Sequence, residues 1–469
     1  MASIAEHWEA TLVQDDTIKQ ESPHNPVKAD RQLYLNLLYP PSKKPGRPHR
    51  FMRIGSRLDV GRETMREPCF QIPVGTVSRT HFTIESDDVG WVLHDRNSSN
   101  GTLLNGQLVK KARVFEQDII RAGGAIFVAT SSPPLDLGWL ESFGVIGCSG
   151  PMGRVAETAR SALKDMSNVL ILGETGTGKE IIASMLHRAG GRTGNFVPVN
   201  CGAIPEQLLE STLFGCVKGA FTGADADRPG LLLEAEGGTL LLDEIAELPQ
   251  TLQVKLLRTL EERTYMPVGS TRALPFDVKI LAATNRLDSI QDPALGFRQD
   301  LLARLEDLVI YLPPLRQRRE DIILLLQSCL KEFSPGVMYD PGLIEALVLH
   351  DWPRNTRQLL KTVKQVLKAG SPPESVTAET LYLYLGTWPG GHKSTENGSG
   401  ATTRIGITSP PTQMPEEPKS RRDGPPDQQE FEMVLQANHY NVSAMARHFA
   451  CDRRQIYRWL EHFGIERES

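Results

Sequence analysis

The chain has 469 residues, too many for one ordinary hydrophobic core, and a usual domain size of roughly 100–200 residues puts two to four folded units on it. Hydrophobic residues at 40% and charged residues at 23% are ordinary for a globular protein, and a net charge of −5 excludes a globally basic nucleic-acid binder, so any DNA contact has to be local. The cysteines (Cys69, Cys148, Cys201, Cys216, Cys329, Cys451) show neither a CxxC pair nor a zinc-ligand spacing, the first residues lack a signal-peptide pattern, and no apolar run nears the roughly 20 residues that cross a bilayer, so reduced thiols, a cytoplasmic location and no membrane partner are expected.

From about 32 to 129, short apolar or alternating runs (LYLNLL, RLDVG, HFTIE, WVLHD, AIFVAT) are separated by Gly, Asn and Asp turns. This spacing predicts an all-β sandwich over 31–131. Three polar motifs fall between the runs: Gly61-Arg62, the SRTH of Ser78 to His81, and the DRNSSNGTLLNG of Asp95 to Gly106. A phosphothreonine carries nearly two negative charges and strong acceptor oxygens, so it calls for an arginine, a hydroxyl and amide donors. Arg62, Ser78, Arg79, Ser99 and Asn100 supply that set. The motifs resemble the forkhead-associated (FHA) fold. The resemblance implies that Arg62 and Ser78 meet the phosphate, that Asn100 holds the peptide backbone, and that His81 and Gly101 are structural. The implied partner is a phosphothreonine-containing protein, a Ser/Thr kinase being one candidate; binding of an unphosphorylated partner is the alternative.

From about 144 to 385, apolar runs (VLILG, FVPVN, TLLLD, KILAATN) alternate with helical periods such as EIIASMLHRAG and TLQVKLLRTLEERT, which predicts a parallel α/β sheet with a helical region after about 320. In VLILGETGTGKEIIASML, the stretch Gly173, Glu174, Thr175, Gly176, Thr177, Gly178, Lys179, Glu180 joins an apolar strand to a helix. Glycines there let backbone N–H groups wrap a phosphate, while the helix N-terminus and Lys179 add positive charge. Glu180 stands where a hydroxyl residue usually binds Mg²⁺. Downstream, TLLLDEI ends a strand on Asp243, placed to hold Mg²⁺, and Glu244, placed to orient the attacking water.

These motifs resemble the AAA+ ATPases of the NtrC-like bacterial enhancer-binding proteins, in which the loop commonly ends GKE, so Glu180 fits the family. Gly219, Ala220, Phe221, Thr222, Gly223 and Ala224 spell the GAFTGA loop by which that family touches sigma-54. Two glycines flanking an exposed aromatic and a hydroxyl suit a mobile tip that presents apolar surface. Thr212, Cys216 and Val217 depart from the Glu, His and Glu usual nearby. The resemblance further assigns Asn200 as the partner of Glu244, Thr284 and Asn285 as a nucleotide sensor, and Arg357 in WPRNTRQL as a second sensor with Trp352 packing beside it. It assigns Arg298 and Arg304 as arginines inserted into a neighbouring subunit's site, and therefore implies a homo-oligomer, from dimer to hexameric ring, using ATP and Mg²⁺.

Residues 386–427 are rich in Pro, Gly, Ser, Thr and charge and read as a flexible linker. Within 428–469, NVSAMARHFACDRRQIYRWLEHFGI implies two short helices joined by a tight turn, the second carrying Arg453, Arg454, Gln455, Tyr457 and Arg458, side chains suited to phosphates and base edges. It resembles the Fis-type helix-turn-helix that ends the same family. The fold class expected is multidomain: a sandwich (31–131), an AAA+ domain with a helical lid (143–385), a linker and a small all-α unit. The function implied is activation of sigma-54 RNA polymerase from promoter-upstream DNA. A phospho-dependent DNA-binding repressor or scaffold, and an AAA+ chaperone or helicase loader, are the competing readings.

Overall fold

The structure is a computed structural model. It describes residues 32–40, 49–64, 67–163, 166–221, 224–286, 290, 292, 296–333, 338–368, 375–376 and 381, and then 431, 434–435, 449, 459–460 and 463. The chain divides into two compact units, Met1–Lys393 and Ser394–Ser469.

The first unit begins with strands β1 (Leu33–Tyr39), β2 (Arg50–Ile54), β3 (Arg57–Gly61), β4 (Cys69–Gln71), β5 (Phe82–Asp87), β6 (Gly90–Asp95), β7 (Thr102–Leu104), β8 (Gln107–Val109), β9 (Lys111–Val114), β10 (Ile119–Ala122) and β11 (Ala125–Thr130). They form a six-stranded sheet, β2-β1-β11-β10-β7-β8, and a five-stranded sheet, β4-β3-β5-β6-β9, paired antiparallel except for β3 and β4. Leu35, Leu37, Ile120 and Phe127 from the first sheet meet Leu58, Phe82 and Leu93 from the second in one core. The alternating runs of the sequence are the inward faces of these strands.

β11 is buried along its whole length. Ala125, Phe127 and Ala129 face the sandwich core, whereas Ile126 and Val128 belong to a different cluster, shared with helices far along the chain. The register of β1 shifts between Leu37 and Tyr39, and Leu38 joins that outer cluster together with Ile119. The six-stranded sheet therefore carries apolar side chains on both faces, and a strand covered on both faces needs an uninterrupted apolar run such as AIFVAT.

The parallel sheet follows, with β12 (Val169–Leu172), β13 (Phe196–Asn200), β14 (Thr239–Asp243), β17 (Lys279–Thr284) and β18 (Leu308–Tyr311) in the order β13-β14-β17-β12-β18. A short hairpin, β15 (Thr264–Tyr265) and β16 (Leu274–Pro275), precedes β17. Alternate residues feed two layers. Val169, Ile171, Leu241 and Leu281 pack with helix Gly150–Ala162 and helix Lys179–Ala189, while Leu170, Leu172, Leu240 and Ile280 pack with helix Gln250–Glu262 and helix Gln299–Leu305.

Helices Asp321–Phe333, Pro341–Leu349 and Asn355–Lys368 form the lid, and their apolar faces are what cover Leu38, Ile119, Ile126 and Val128 of the sandwich. No helix among the described residues is long and apolar enough to cross a membrane. In the second unit, Phe431, Leu435 and Trp459 form a small aromatic core with Phe449, Leu460 and Phe463 around it. The 386–427 linker and Arg453, Arg454, Gln455, Tyr457 and Arg458 lie outside the described residues.

His49 is buried under the lid, its Nε2 donating to the Glu320 carbonyl at 2.8 Å, and burial lowers its pKa to about 4. An unfolded chain takes up this proton near pH 6.5 and the folded one only near 4, so His49 contributes stability that is complete above pH 6.5 and is lost as pH falls toward 4. His49→Gln keeps a donor without a titrating ring. Thermal melts of parent and variant at pH 7.5 and 5 are expected to show a smaller acid-induced drop in melting midpoint for the variant.

Candidate functional site

The parallel register gathers the chemistry at one edge of the sheet. Leu172 lies beside Thr284, and Asn200 beside Asp243, so the segments that follow β12, β13, β14 and β17 leave the sheet side by side. Ligands of open α/β sheets bind in the crevice outside these carboxyl ends. The phosphate loop runs from Gly173 to Gly178 into helix Lys179–Ala189. Lys179 is buried, with Nζ donating to the Gly173 carbonyl at 3.0 Å and standing 4.0 Å from Glu244 Oε1. Burial lowers its pKa, and Glu244 and Asp243 oppose the shift.

Glu244 occupies left-handed backbone space (φ 52°, ψ 50°), a conformation disfavoured for a residue with a side chain and concentrated at functional positions. Its N–H donates to Asp243 Oδ1 at 3.1 Å. Asn285 bridges the two halves of the crevice: Nδ2 donates to Thr175 Oγ1 at 2.8 Å, and its N–H lies 3.4 Å from Glu244 Oε2. Thr284 is fully buried; its carbonyl accepts from Gly173 N–H and its Oγ1 from Arg286 N–H. Burial, with Asp243 nearby, pushes the Cys201 thiol up to about 12, which removes it as a nucleophile.

The lid closes on this loop through residues that sequence reading missed. Arg316 forms a two-pronged ion pair with Glu174 and holds its carboxyl below the usual range. Asn355 Nδ2 donates to Glu174 and to the Thr175 carbonyl, each at 3.1 Å, while its Oδ1 accepts from Leu315 N–H. Arg318 Nη2 donates to the Thr177 carbonyl at 3.0 Å. The Arg357 N–H reaches the Gly176 carbonyl at 3.3 Å, its side chain exposed, and Trp352 is fully buried with Nε1 donating to the Leu347 carbonyl. Asn355 lies inside the WPRNTRQL motif, and that proximity to Arg357 is the signal that could have found it.

Other predicted residues lie elsewhere. Asn200 Oδ1 accepts from Gly202 N–H at 3.0 Å, and among the described residues it makes no hydrogen bond to Glu244. Arg298 is exposed and ion-paired with Asp300, Arg304 is exposed near Glu261 at 3.5 Å, and among the described residues neither bonds to the phosphate loop of its own chain. Glu180 is exposed in the first turn of its helix.

Phe221 of the GAFTGA segment is 43% exposed. The base of the loop is braced: Gly219 N–H donates to the Ala224 carbonyl, Val217 N–H to the Val268 carbonyl, and buried Cys216 bridges to both Arg228 and Val268. Thr222 and Gly223 lie outside the described residues. Of the sequence departures nearby, Thr212 bonds within its helix to the Leu208 carbonyl.

At the loop end of the sandwich, Arg62 N–H donates to the Ser78 carbonyl and Glu63 N–H to the Arg79 carbonyl. Gly61 is required there, because a Cβ would lie 2.1 Å from the Arg79 carbonyl oxygen. Ser78 Oγ accepts from Ser99 N–H at 3.1 Å, and Asn100 Nδ2 donates to the Thr76 carbonyl at 2.7 Å. His81 receives Ser78 N–H on Nδ1 and donates from Nε2 to the Gly101 carbonyl, two bonds that together require the neutral ring, and burial lowers its pKa accordingly. Buried Asp95 holds the neighbouring loop through Ser98, Thr102 and Lys110. The arrangement brings Arg62, Ser78, Arg79, Ser99 and Asn100 to one end, with the Arg62 and Arg79 side chains exposed.

Residues 145–311 match the sigma-54 interaction domain family, and residues 58–123 match the FHA domain. The chain is 36% identical over 338 residues to the transcriptional activator RocR of Bacillus subtilis, a match covering 68% of this chain and 68% of RocR. The chain belongs to the sigma-54-dependent transcriptional regulators. This regulator is also 44% identical over 250 residues to the transcriptional regulatory protein GlrR of Escherichia coli, covering 52% of its own length and 56% of GlrR, so it spans little more than half of that relative. Among solved structures it is similar to NtrX from Brucella abortus in complex with ADP, at 27% identity, with 70% of this chain and 72% of that chain covered and a TM-score of 0.48.

Gly176 of the regulator takes φ +80°, and a Cβ there would meet the Arg354 carbonyl oxygen at 2.3 Å. Backbone strain of about 1–3 kcal/mol and the clash with the lid act together, so Gly176→Ala is expected to lower the melting midpoint of the chain by several degrees in thermal melts.

Proposed function

We propose that this regulator binds ATP with Mg²⁺, hydrolyses it as an oligomeric ring, and uses the cycle to remodel the closed complex of sigma-54 RNA polymerase. The observation that carries the reading is the convergence of Lys179, Asp243, Glu244 and Asn285 around one phosphate loop. The loop N–H groups and Lys179 would hold the phosphates. Asp243 and Glu244 bring two carboxylates to that loop. That donor set fits Mg²⁺, which is commonly held by one or two carboxylates plus phosphate oxygens and water. Asp243 would hold the ion, and the ion when bound supplies charge neutralisation at the phosphates.

Glu244 orients a water and takes up its proton as the water oxygen bonds to the γ-phosphorus and the bond to the bridging oxygen breaks, giving ADP and phosphate. Asn285, beside both Glu244 and Thr175, reports the occupancy of the crevice, and Arg357 does so from the lid. Arg298 and Arg304, exposed and away from their own loop, act on the site of a neighbouring subunit. Phe221 and Thr222 present the sigma-54 contact. The C-terminal unit, through Arg453, Arg454, Gln455, Tyr457 and Arg458, holds promoter-upstream DNA. The sandwich takes a phosphothreonine on Arg62 and Ser78, with Asn100 on the peptide backbone.

Lys179→Ala is expected to abolish nucleotide binding, whereas Glu244→Gln keeps binding and loses hydrolysis by about a hundredfold or more. Thr222→Ala is expected to retain ATP turnover and ring assembly yet fail to open a sigma-54 promoter in a reconstituted transcription assay. Normal hydrolysis by Glu244→Gln would move the catalytic role elsewhere, and full activation by Thr222→Ala would favour a repressor or scaffold.

Arg62 is 40% exposed on its loop, so its charge contributes little to stability. Arg62→Ala is expected to eliminate binding of phosphothreonine peptides in fluorescence anisotropy with no change in the melting of the chain. Equal binding of plain and phosphorylated peptides by the parent would count against phosphate recognition.

A further inference from the structure

β13, β14 and β17 are neighbours in the parallel sheet, and each hands the chain to a turn at the crevice. The pairing of β14 with β17 ends at Leu242 and Ala282, so Asp243, Glu244 and Thr284 lie beyond the last paired residues, and their relative placement depends on contacts between the turns. Glu244 enters its turn in left-handed backbone space, and the turn closes when Glu247 N–H donates to the Glu244 carbonyl at 3.0 Å. On the neighbouring strand Arg286 N–H donates to Oγ1 of fully buried Thr284 at 3.0 Å, which fixes where Arg286 leaves the sheet.

The polar contacts that bridge these turns are unequal. The approach of Asn285 N–H to Glu244 Oε2, at 3.4 Å, is at the long end of hydrogen bonding. Arg286 Nη1 and Glu247 Oε1, by contrast, form an ion pair at 2.8 Å. Glu247 also meets the turn after β13, since a Cβ on Gly202 would lie 3.4 Å from Glu247 Cγ and 3.5 Å from Asn200 Oδ1. Arg286 and Glu247 therefore close a bracket around the residue whose carboxylate stands 4.0 Å from Lys179. Their side chains are 59% and 37% exposed. Ion pairs that open to water add little to stability, so the place of this one beside Glu244 calls for another use.

We propose that Arg286 and Glu247 are positioning residues: their ion pair clamps the Glu244 turn to the end of β17 and so sets the rate of ATP cleavage rather than the affinity for nucleotide. A general base has to lie within hydrogen-bond reach of the proton it takes, and a misplacement of about 1 Å can cost about a hundredfold in rate. Affinity for the phosphates comes instead from the loop N–H groups and Lys179, which the pair does not touch. The inference rests on the proposed role of Glu244, whose own test is Glu244→Gln.

Glu247→Gln and Arg286→Met each remove one charge from an exposed site, and both are measured in the full chain, singly and together. Each single variant is expected to lower kcat for ATP hydrolysis by about tenfold, with KM and the ADP dissociation constant within about twofold of the parent and the melting midpoint unchanged. Because the two residues act as a unit, the double variant is expected to be no slower than the slower single one, whereas independent roles would make the losses multiply. Parental kcat in either single variant, a loss confined to KM, a loss accompanied by a lowered melting midpoint, or multiplied losses in the double variant would overturn the clamp. If Glu244→Gln abolishes hydrolysis while both pair variants keep the parental rate, the clamp fails alone; if Glu244→Gln hydrolyses normally, the proposed base fails and the clamp with it.

Discussion

Arg318, Glu320 and Asp321 lie in one buried turn that joins the body of the first unit. Asp321 accepts from Cys148 N–H at 2.7 Å, Ser149 N–H at 3.0 Å and Ser149 Oγ at 2.8 Å, and so fixes where the chain enters the α/β domain after the sandwich. Arg318 reaches the phosphate loop, and Glu320 reaches His49 and Gln117 of the sandwich. Burial pushes the Glu320 carboxyl up, aided by the charge of Asp321. Burial likewise raises Asp321 and lowers Arg318, each against the stabilising pull of the other. Removing either charge leaves the other less compensated in its buried surroundings. The turn thus ties three parts of the fold to a shared penalty.

The phosphate loop is held between two sets of groups. Its strand side is set by the parallel register, which fixes Asp243 and Asn285 relative to Gly173. Its lid side is set by Arg316, Asn355 and the close approach of Arg354 to Gly176. Between them Glu244 keeps its strained backbone, which pre-positions the carboxylate 4.0 Å from Lys179.

The residues legible from sequence are those whose chemistry demands contiguity. A phosphate cradle needs glycines, a lysine and a helix start in consecutive positions, and an acidic pair at a strand end needs only the strand, so Gly173 to Lys179 and Asp243-Glu244 could be read directly. The sandwich could be read from alternation, and the FHA and sigma-54 interaction matches fall on the segments that carry the motifs. Arg316, Arg318 and Gln117 could not, because each acquires its role from a partner more than a hundred residues away. The unbroken AIFVAT run carries apolar residues for both faces of its strand, but nothing in it named the lid as the cover. Asn200 illustrates the reverse: its position beside Asp243 follows from pairing, yet its side chain caps Gly202.

The double-sided burial of β11 also bears on how the protein can be taken apart. Cut from the lid, the sandwich would turn Leu38, Ile119, Ile126 and Val128 out to water as one contiguous patch. Exposed patches of that kind drive self-association. The front domain, although its two sheets close a core of their own, is therefore a poor candidate for excision as a soluble fragment. Its portability to another protein would require polar replacements on the face that the lid now hides.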